Sequence, residues 1–540
     1  MQIRWADQIK SLLLLIIVQT FIFVLSAQIL SSFYAVNPYG PDPGPQMLKY
    51  ANAHQTIEQS GVIDFVKNEI STNKKNPFPI VATTFLGRNL LLLPYGQSVF
   101  TFLLMLAFSL LLTRNFLRRS IPFYLAVIPA IVAITARVVY SSYFGVAFNL
   151  PDNAAAWALG AAVLSILEFT NSGQRKWLTI SAIMISIAVL TRYIFCMYSF
   201  LVIGPILALH FFNVEKAKRT AFIKEMLWYL LIIIIGCGWF LFLHLKENLF
   251  YYTYYQDADK GTEGVGYIRS ATSLIITIKN FLALPHMIAI GIVVLAFFKI
   301  SPKKSGIFKD VLIPLWIFAA LPLFYVFYLQ ADGIKVASAY WPIAPLLFVA
   351  LFYVFEKLIP FLSYQFTRII LIVLLITSVY GVVRGRARVY DVMGSEPAHE
   401  KVIQRQIADQ YVFLDRPNCN DSIGDVIAEA GLAEAVSLEI VYRFNRFPYS
   451  YFDLQYNRHQ LSLNDAVQQI LSCRFILAFE SKEDLEKYFL VHKDPFAKEL
   501  AEKVMIAMQD PTKGYAKKFS FKLKTGETGM IYFRSASTPN

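Results

Sequence analysis

The stretch WLTISAIMISIAVLTRYIFCMYSFLVIGPILALHFF, Trp177 to Phe212, decides the fold class of this chain. It is apolar almost throughout, and its only Asp, Glu, Lys or Arg side chain is Arg192. A helix needs about 20 apolar residues to cross a bilayer. The stretch therefore predicts two successive membrane-spanning helices, over about 177–194 and 196–212, that meet near Arg192.

Composition extends this prediction to most of the chain. Of the 540 residues, 56% are hydrophobic and 16% are charged, and the mean hydropathy is +0.49. These values are typical of an α-helical polytopic membrane protein. We interpret the first apolar run as a retained helix, because it is long for a signal peptide and no cleavage site follows it. The sequence predicts about eleven spans, the others lying near 11–34, 97–113, 121–140, 153–170, 226–245, 283–299, 311–329, 341–357 and 367–384.

The net charge of +13 is distributed so as to orient these helices. When about eleven spans are threaded, the Lys and Arg clusters of the short loops all fall on one side, which predicts that this side is cytoplasmic. We therefore expect a multi-pass protein of the cell inner (plasma) membrane with a cytoplasmic N-terminus and no nucleic-acid partner. The clusters are Arg4 and Lys10; Arg114, Arg118 and Arg119; Arg175 and Lys176; Lys216, Lys218 and Arg219; Lys303, Lys304 and Lys309; and Lys357 and Arg368.

The domain organisation follows from a change of composition near Val389, after which charges of both signs are interspersed. We expect a transmembrane domain over 1–385, with a long first outer loop over 35–96, and a soluble extracytoplasmic domain over 386–540. The second domain is long enough to hold its own core, and its pattern indicates an α/β or α+β fold. It contains a strand at 474–479 and a β-hairpin over 518–534.

Two local features of the C-terminal region 386–540, called the tail below, give more specific predictions. Ser481 is placed as the N-cap of a helix that follows the strand, with acids in its first turn. Cys419 and Cys473 are the tail's only cysteines. In an oxidising compartment they are expected to form a disulfide.

Two aspartates lie where outer loops meet apolar spans. Asp42 lies in Asn37-Pro-Tyr-Gly-Pro-Asp-Pro-Gly-Pro45, a rigid run followed by an amphipathic segment that reaches about Ile70. Asp152 lies in Leu150-Pro-Asp-Asn153, at the mouth of a later span. Ionisable groups at membrane depth are functional candidates, and both positions also suit a helix cap.

Basic and aromatic residues lie in the same outer region. Arg192 has no acid near it in the sequence, so it requires a phosphate, a carboxylate or the surface. Lys335 and Tyr340 open a later span, where a lysine binds phosphate or extends along the helix to the headgroups. The Tyr-rich loop around Tyr255 and Asp257, with Arg269 beyond it, suits either sugar contact or an interfacial aromatic belt.

Together these residues resemble the GT-C glycosyltransferases, membrane enzymes that use polyprenyl-phosphate sugars. The likeness is to bacterial protein-mannosyltransferase-like and aminoarabinose-transferase-like members. It covers 1–385 in layout and rests on Asp42 with Lys49-Tyr50, Pro151-Asp-Asn153, Leu190-Thr-Arg192, and Tyr340-Trp-Pro-Ile-Ala-Pro345. No Trp-Trp-Asp motif is present, so an oligosaccharyltransferase is not expected.

What the resemblance implies is an inverting transfer to a glycan, lipid or protein acceptor. Asp42 would be the general base, and Asp152 would orient the acceptor or the partner of Asp42. Lys335, Arg192 and Tyr340 would bind the lipid phosphate, while Tyr255, Asp257 and Arg269 belong to a substrate loop. No ligand spacing specifies a metal, although a divalent ion that bridges carboxylates and phosphate is compatible with the sequence.

Two other functions use many of the same residues. A transporter or flippase for lipid-linked sugars would show repeated halves and broken helices at mid-membrane. The sequence contains no matching halves, and its charged candidates lie at one surface. A glycan polymerase or ligase acting on lipid-diphosphate substrates would keep most of the candidate residues.

Overall fold

The structure is a computed structural model that falls into two compact units. The first comprises residues 1–30, 62–86 and 95–392, and the second comprises 31–61, 87–94 and 393–540. Residues described are 5–33, 57, 59–72, 78, 81–82, 98–140, 145–147, 151–246, 291, 307–323, 333–392, 397–414, 423–427, 432, 436, 440, 451–452, 462–491, 495–523 and 526–534.

The described part of the first unit is helical. Its helices are α1 (Trp5–Phe33), α2 (Val62–Thr72), α3 (Val99–Leu117), α4 (Phe123–Ala126), α5 (Ile128–Ile134), α6 (Arg137–Tyr140), α7 (Pro151–Ser172), α8 (Arg175–Thr191), α9 (Phe195–Asn213), α10 (Arg219–Ile233), α11 (Trp239–Leu243), α12 (Ile307–Leu323), α13 (Gly333–Leu358) and α14 (Tyr364–Val392). A π-helical segment, Ile234–Gly238, joins α10 to α11, and 3-10 turns cover Lys216–Lys218 and Ile359–Phe361.

Seven stretches of the described chain are long and apolar enough to cross a membrane. They are Trp5–Ile29, Val99–Leu117, Pro151–Ser172, Phe195–Asn213, Lys216–Leu243, Ala344–Phe361 and Tyr364–Arg384. Shorter apolar helices occupy Phe123–Ile134 and Leu312–Leu323. The polytopic helical architecture is therefore confirmed. The predicted span at 283–299 lies outside the described residues, apart from residue 291.

One predicted span has a different structure. The run predicted to span the membrane over 121–140 forms three short helices, α4, α5 and α6. Pro129 lies in the first turn of α5 and has no backbone N–H to continue the preceding helix. The Thr135 hydroxyl donates to the carbonyl oxygens of Ile131 and Val132, at 2.7 and 3.2 Å, where α5 ends.

Helix α7 is the central helix of the first unit and is buried along nearly its whole length. Its many Ala and Gly residues let neighbouring helices approach closely, as is common between helices in membranes. One close approach is at Gly160, where an added Cβ would lie 2.9 Å from both the Phe108 ring and the Pro345 Cβ. The Phe108 ring is fully buried, and its centroid is 5.1 Å from that of Trp157, so it has little room to move.

This packing predicts that Gly160→Ala destabilises the helix bundle by about 1–3 kcal/mol, because the new methyl group overpacks the contact of α7 with α3 and α13. Gly204→Ala is the matched control, since a Cβ there meets only the Phe200 ring, at 3.9 Å. Thermal unfolding of the purified chain in detergent measures both effects. Equal unfolding temperatures for the two variants would contradict the proposed close packing.

One end of this helix bundle is strongly basic. Ion pairs join the end of α3 to the ends of α7 and α13, through Arg118 with Glu168 and Arg119 with Glu356. The described basic side chains at this end are Lys10, Arg114, Arg118, Arg119, Arg175, Lys176, Lys216, Lys218, Arg219, Lys224, Lys357 and Arg368, against the acids Asp7, Glu168, Glu215, Glu225 and Glu356. We refer to it below as the basic end.

The second unit contains a five-stranded mixed sheet with helices. The strands, in the spatial order β2-β1-β3-β5-β4, are β1 (Ile423–Asp425), β2 (Tyr451–Phe452), β3 (Phe475–Phe479), β4 (Tyr515–Lys522) and β5 (Thr528–Arg534). Strand β1 pairs in parallel with β2 and β3, whereas β5 pairs antiparallel with β3 and β4. The helices are α15 (Pro397–Leu414), α16 (Leu463–Ser472), α17 (Lys482–Val491) and α18 (Pro495–Gln509), with a 3-10 turn at Pro511–Lys513.

The predicted elements of this region are confirmed. Strand β3 and the β4–β5 hairpin form where expected, and Ser481 caps α17 by accepting a hydrogen bond from the Asp484 N–H at 3.1 Å. The unit has its own apolar core, built from β1, β3, β5 and the helices around them. Cys473 is buried beside β3, with its Sγ 3.7 Å from the Gln469 carbonyl oxygen. Cys419 lies outside the described residues, so the disulfide stays a prediction.

Asp484 ties α17 to β5, because its Oδ1 accepts a hydrogen bond from the Thr528 N–H at 2.8 Å. Partial burial would raise the pKa of this carboxyl, but hydrogen bonds from Ser481 and Thr528, with Lys522 and Lys487 nearby, hold the pKa below its ordinary value. The stabilisation is therefore present above the ordinary aspartate pKa and is lost as pH falls through the lowered one.

Asp484→Asn is therefore expected to destabilise α17 near neutral pH by about 1 kcal/mol, the scale of a partly exposed hydrogen bond to a charged group. The difference from wild type should vanish in acid. Hydrogen exchange of the segment 482–491 in the full chain measures it. Glu486→Gln, in an exposed pair with Lys482, is the control. An equal effect of the two substitutions would show that the hydrogen bond from the Thr528 N–H to Asp484 does not stabilise α17.

Candidate functional site

Asp152 and Arg192 form an ion pair at the end of the bundle opposite the basic end. Arg192 Nε lies 3.2 Å from Asp152 Oδ1, and the side chains are 29% and 26% exposed, respectively. Asp152 lies in the first turn of α7, whereas Arg192 immediately follows the last residue of α8. A carboxylate at a helix N-terminus and a cation at a C-terminus are each favoured by the helix dipole.

The local sequence explains how each side chain reaches this place. Pro151 opens α7, a position where the missing N–H of proline is harmless. The α7–α8 hairpin turns at Gly173, whose φ of +66° suits glycine. Helix α8 ends because Arg192 adopts an extended conformation, with φ of −154° and ψ of 112°. Helix α9 starts at Phe195, so the long apolar stretch breaks at its one charged residue.

The partial exposure of this pair determines what it can do chemically. A partly exposed ion pair contributes little net stability, since solvent screens its charges. A phosphate group can therefore compete with Asp152 for the guanidinium of Arg192. Arginine presents a planar set of donors that fits phosphate oxygens. The arrangement allows a phosphate to replace Asp152 at Arg192, so the ion pair is not a permanent structural contact.

Three buried polar side chains from different segments form hydrogen bonds with the backbone of residues 145–147, a few residues before Asp152 in the sequence. Asn153 donates to the Gly145 carbonyl oxygen at 3.1 Å, and Ser98 donates to the Ala147 carbonyl oxygen at 2.9 Å. The Ala147 N–H donates to the Ser26 hydroxyl at 3.3 Å. Sequence reasoning missed Ser26 and Ser98, because isolated serines give no signal of which backbone groups they will reach.

Part of the first outer loop is attached at the same end of the bundle. Helix α2 contacts the bundle through His244, whose Nε2 is 2.9 Å from the Ile70 carbonyl oxygen. His244 follows α11 and is buried. Because α10 begins at the basic end, the end of α11 lies at the end that also carries Asp152. The predicted amphipathic segment is helical over Val62–Thr72.

The other predicted site residues are described only in part or not at all. Lys335 and Tyr340 lie in the first turns of α13, which starts at Gly333, earlier than predicted. Their side chains are outside the described set. Because α13 ends at the basic end, its first turns lie toward the end that carries the ion pair. Asp42, Tyr255, Asp257 and Arg269 lie outside the described residues.

No group of three or more His, Cys, Asp or Glu side chains in the described part of the chain is placed to hold a metal ion. The charged side chain beside Asp152 is the guanidinium of Arg192. The described part of the site therefore provides one carboxylate and one guanidinium. Such a combination is chemically suited to polar or anionic groups.

Comparison with solved structures supports the fold. The chain is similar to ArnT from Cupriavidus metallidurans, an aminoarabinose transferase, both in the apo state and bound to undecaprenyl phosphate. Each match has a TM-score of 0.56 and 13% sequence identity, covering 98% of this chain and 99% of the ArnT chain.

A third structure is more distant. The apo oligosaccharyltransferase of Archaeoglobus fulgidus has a TM-score of 0.45 and 13% identity, covering 96% of this chain and 75% of that one. No protein-family model and no curated protein matches the sequence. The ArnT comparison confirms the predicted fold class: the chain shares the fold of ArnT over 98% of its length.

Proposed function

We propose that the chain is an integral-membrane glycosyltransferase that moves a sugar from a polyprenyl-phosphate donor to an extracytoplasmic acceptor. The observation that carries this proposal is the Asp152–Arg192 pair at the non-basic end of a bundle with the GT-C fold. A protein of that fold, ArnT of C. metallidurans, binds undecaprenyl phosphate. The acceptor is a glycan, a lipid or a protein.

Arg192 is proposed to bind the lipid phosphate, displacing Asp152. As the bond from the anomeric carbon to the phosphate oxygen breaks, negative charge builds up on that phosphate. A guanidinium already in position stabilises this charge without reorganisation of solvent. Lys335 and Tyr340 are proposed as further phosphate contacts, since they lie at the start of α13.

Asp42 is proposed as the general base of a single inverting displacement. It removes the proton of the acceptor hydroxyl or amine while that group attacks the anomeric carbon, and the lipid phosphate leaves with the bonding electrons. Asp152, released from Arg192, orients the acceptor. Tyr255, Asp257 and Arg269 are proposed to contact the substrate from the loop that carries them.

This chemistry requires the non-basic end of the bundle to face the extracytoplasmic side. The surplus of Lys and Arg at the basic end supports that orientation, because basic loops are retained in the cytoplasm. The N-terminus is then cytoplasmic, and the region 386–540 is extracytoplasmic. The surrounding membrane is the cell inner (plasma) membrane.

The test is to analyse lipids from cells that lack this chain. A polyprenyl-phosphate-linked sugar is expected to accumulate, and its level should return to normal with the wild-type chain but not with Arg192→Gln. Mass spectrometry of the extracted lipids identifies the sugar. For a flippase, purified chain would move the lipid-linked sugar between leaflets without cleaving its phosphate bond, and that result would refute the proposal.

A further inference from the structure

A pair of cations lies on a single indole ring at the basic end, far from the Asp152–Arg192 pair. Arg114, in the last turn of α3, has its guanidinium carbon 4.9 Å from the Trp177 ring centroid. The Lys176 ammonium lies 5.4 Å from the same centroid. Cation–π contact fixes both charges beside the ring, at the junction of α3 with the first turn of α8.

These two cations differ from their neighbours in making no ion pair with a described acid. Arg118 and Arg119 each contact a buried glutamate, and Arg175 makes a bidentate pair with Glu225 at 2.7 and 2.8 Å. For Arg114 and Lys176, no described carboxylate lies within the 4.0 Å ion-pair distance. Glu168, the acid that interacts electrostatically with Arg114, is itself ion-paired with Arg118. The end of α3 and the start of α8 therefore carry an excess of positive charge.

Hydrogen-bond donors at the same place also lack acceptors. Trp177 is 4% exposed, and neither its indole N–H nor the Nε of Arg114 has a hydrogen-bond partner among the described residues. An unsatisfied buried donor costs about 1–3 kcal/mol. In addition, no side chain caps the N-terminus of α8, where the helix dipole favours an anion.

We propose that Arg114, Lys176 and Trp177 form a binding site for the phosphate of an anionic phospholipid headgroup. Two cations, an indole N–H and an open helix N-terminus all require the same ligand, an oxyanion. The site lies at the end of α3, a helix long and apolar enough to span a membrane, and this is the level at which tryptophan meets lipid headgroups. The excess of basic over acidic side chains around it favours a net-negative lipid over a zwitterionic one.

The experiment measures binding of dioctanoyl phosphatidylglycerol, and of the matching phosphatidylcholine, to the full purified chain in detergent by native mass spectrometry. Wild type should prefer phosphatidylglycerol. Lys176→Gln should weaken its binding roughly fivefold, equivalent to about 1 kcal/mol per basic side chain at the surface. Trp177→Phe, which keeps an aromatic ring but removes the N–H, should weaken it about two- to tenfold.

Lys218→Gln is the matched control, because Lys218 lies at the same end and is paired with Glu215 at 2.9 Å. Its phosphatidylglycerol binding should equal that of wild type. An equal loss for Lys176→Gln and Lys218→Gln would overturn the site in favour of diffuse surface charge. Absence of a preference for phosphatidylglycerol would overturn it as well, as would displacement of the lipid by millimolar inorganic phosphate.

Discussion

Asp42→Asn is expected to lower the rate of sugar transfer about 10²–10⁴-fold, the usual contribution of a positioned general base. Asparagine has nearly the same shape but cannot accept the acceptor's proton. Binding of the lipid-phosphate donor should be unchanged, because the base acts on the acceptor. Steady-state transfer by purified chain from a polyprenyl-phosphate sugar measures the rate, and saturation with donor separates turnover from binding.

Asp64→Asn provides the control for this substitution. Asp64 is another aspartate of the first outer loop, exposed in the first turn of α2. Its substitution removes the same charge from the same loop and should leave the rate unchanged. A wild-type rate for Asp42→Asn would show that Asp42 is not the base. The likeness to the ArnT fold would stand, and another carboxylate would have to act as the base.

Arg192→Gln is expected to lower transfer about 10²–10³-fold, which is the scale for loss of one preorganised donor to developing charge. The physical reason is that the leaving phosphate loses the guanidinium that stabilises it. Arg192→Lys should recover part of the rate, because it restores the charge but not the planar donor geometry. Transfer kinetics measure the effect, and the unfolding temperature reports any damage to the bundle.

A charge exchange separates the catalytic from the structural role of this pair. In Asp152→Arg with Arg192→Asp the ion pair can re-form across the α7–α8 hairpin, but the positive charge lies on the other helix. We expect an unfolding temperature near that of wild type, because the pair contributes little net stability, and no recovery of transfer. Recovered transfer would mean that the pair only holds the hairpin together. Arg175→Gln, which breaks an ion pair at the basic end, is expected to leave transfer unchanged.

The sequence contains enough information to predict this pair, although the apolar runs alone do not reveal it. Asp152 and Arg192 lie at nearly equal distances from Gly173, the tight turn between α7 and α8. An antiparallel hairpin with arms of equal length brings its two ends together. Arg192 has no acid among its neighbours in the sequence, yet the hairpin supplies one forty positions away.

Other features depend on packing that local sequence does not encode. Apolar runs predict where helices lie, because length and hydropathy decide whether a segment can span. They do not predict that 121–140 divides into three helices, or that Ser26 and Ser98 hold the segment 145–147. Nor do they predict that Glu168 and Glu356 are buried against Arg118 and Arg119. These contacts arise between helices far apart in sequence.

Binding of undecaprenyl phosphate to the full chain in detergent tests the central claim most directly. Arg192→Gln should weaken binding at least tenfold, a loss of about 1.4 kcal/mol or more. Asp152→Asn should strengthen it, because the carboxylate no longer competes for the guanidinium, and Arg175→Gln should leave it unchanged. Equal affinities for wild type, Arg192→Gln and Asp152→Asn would contradict a phosphate site at Arg192.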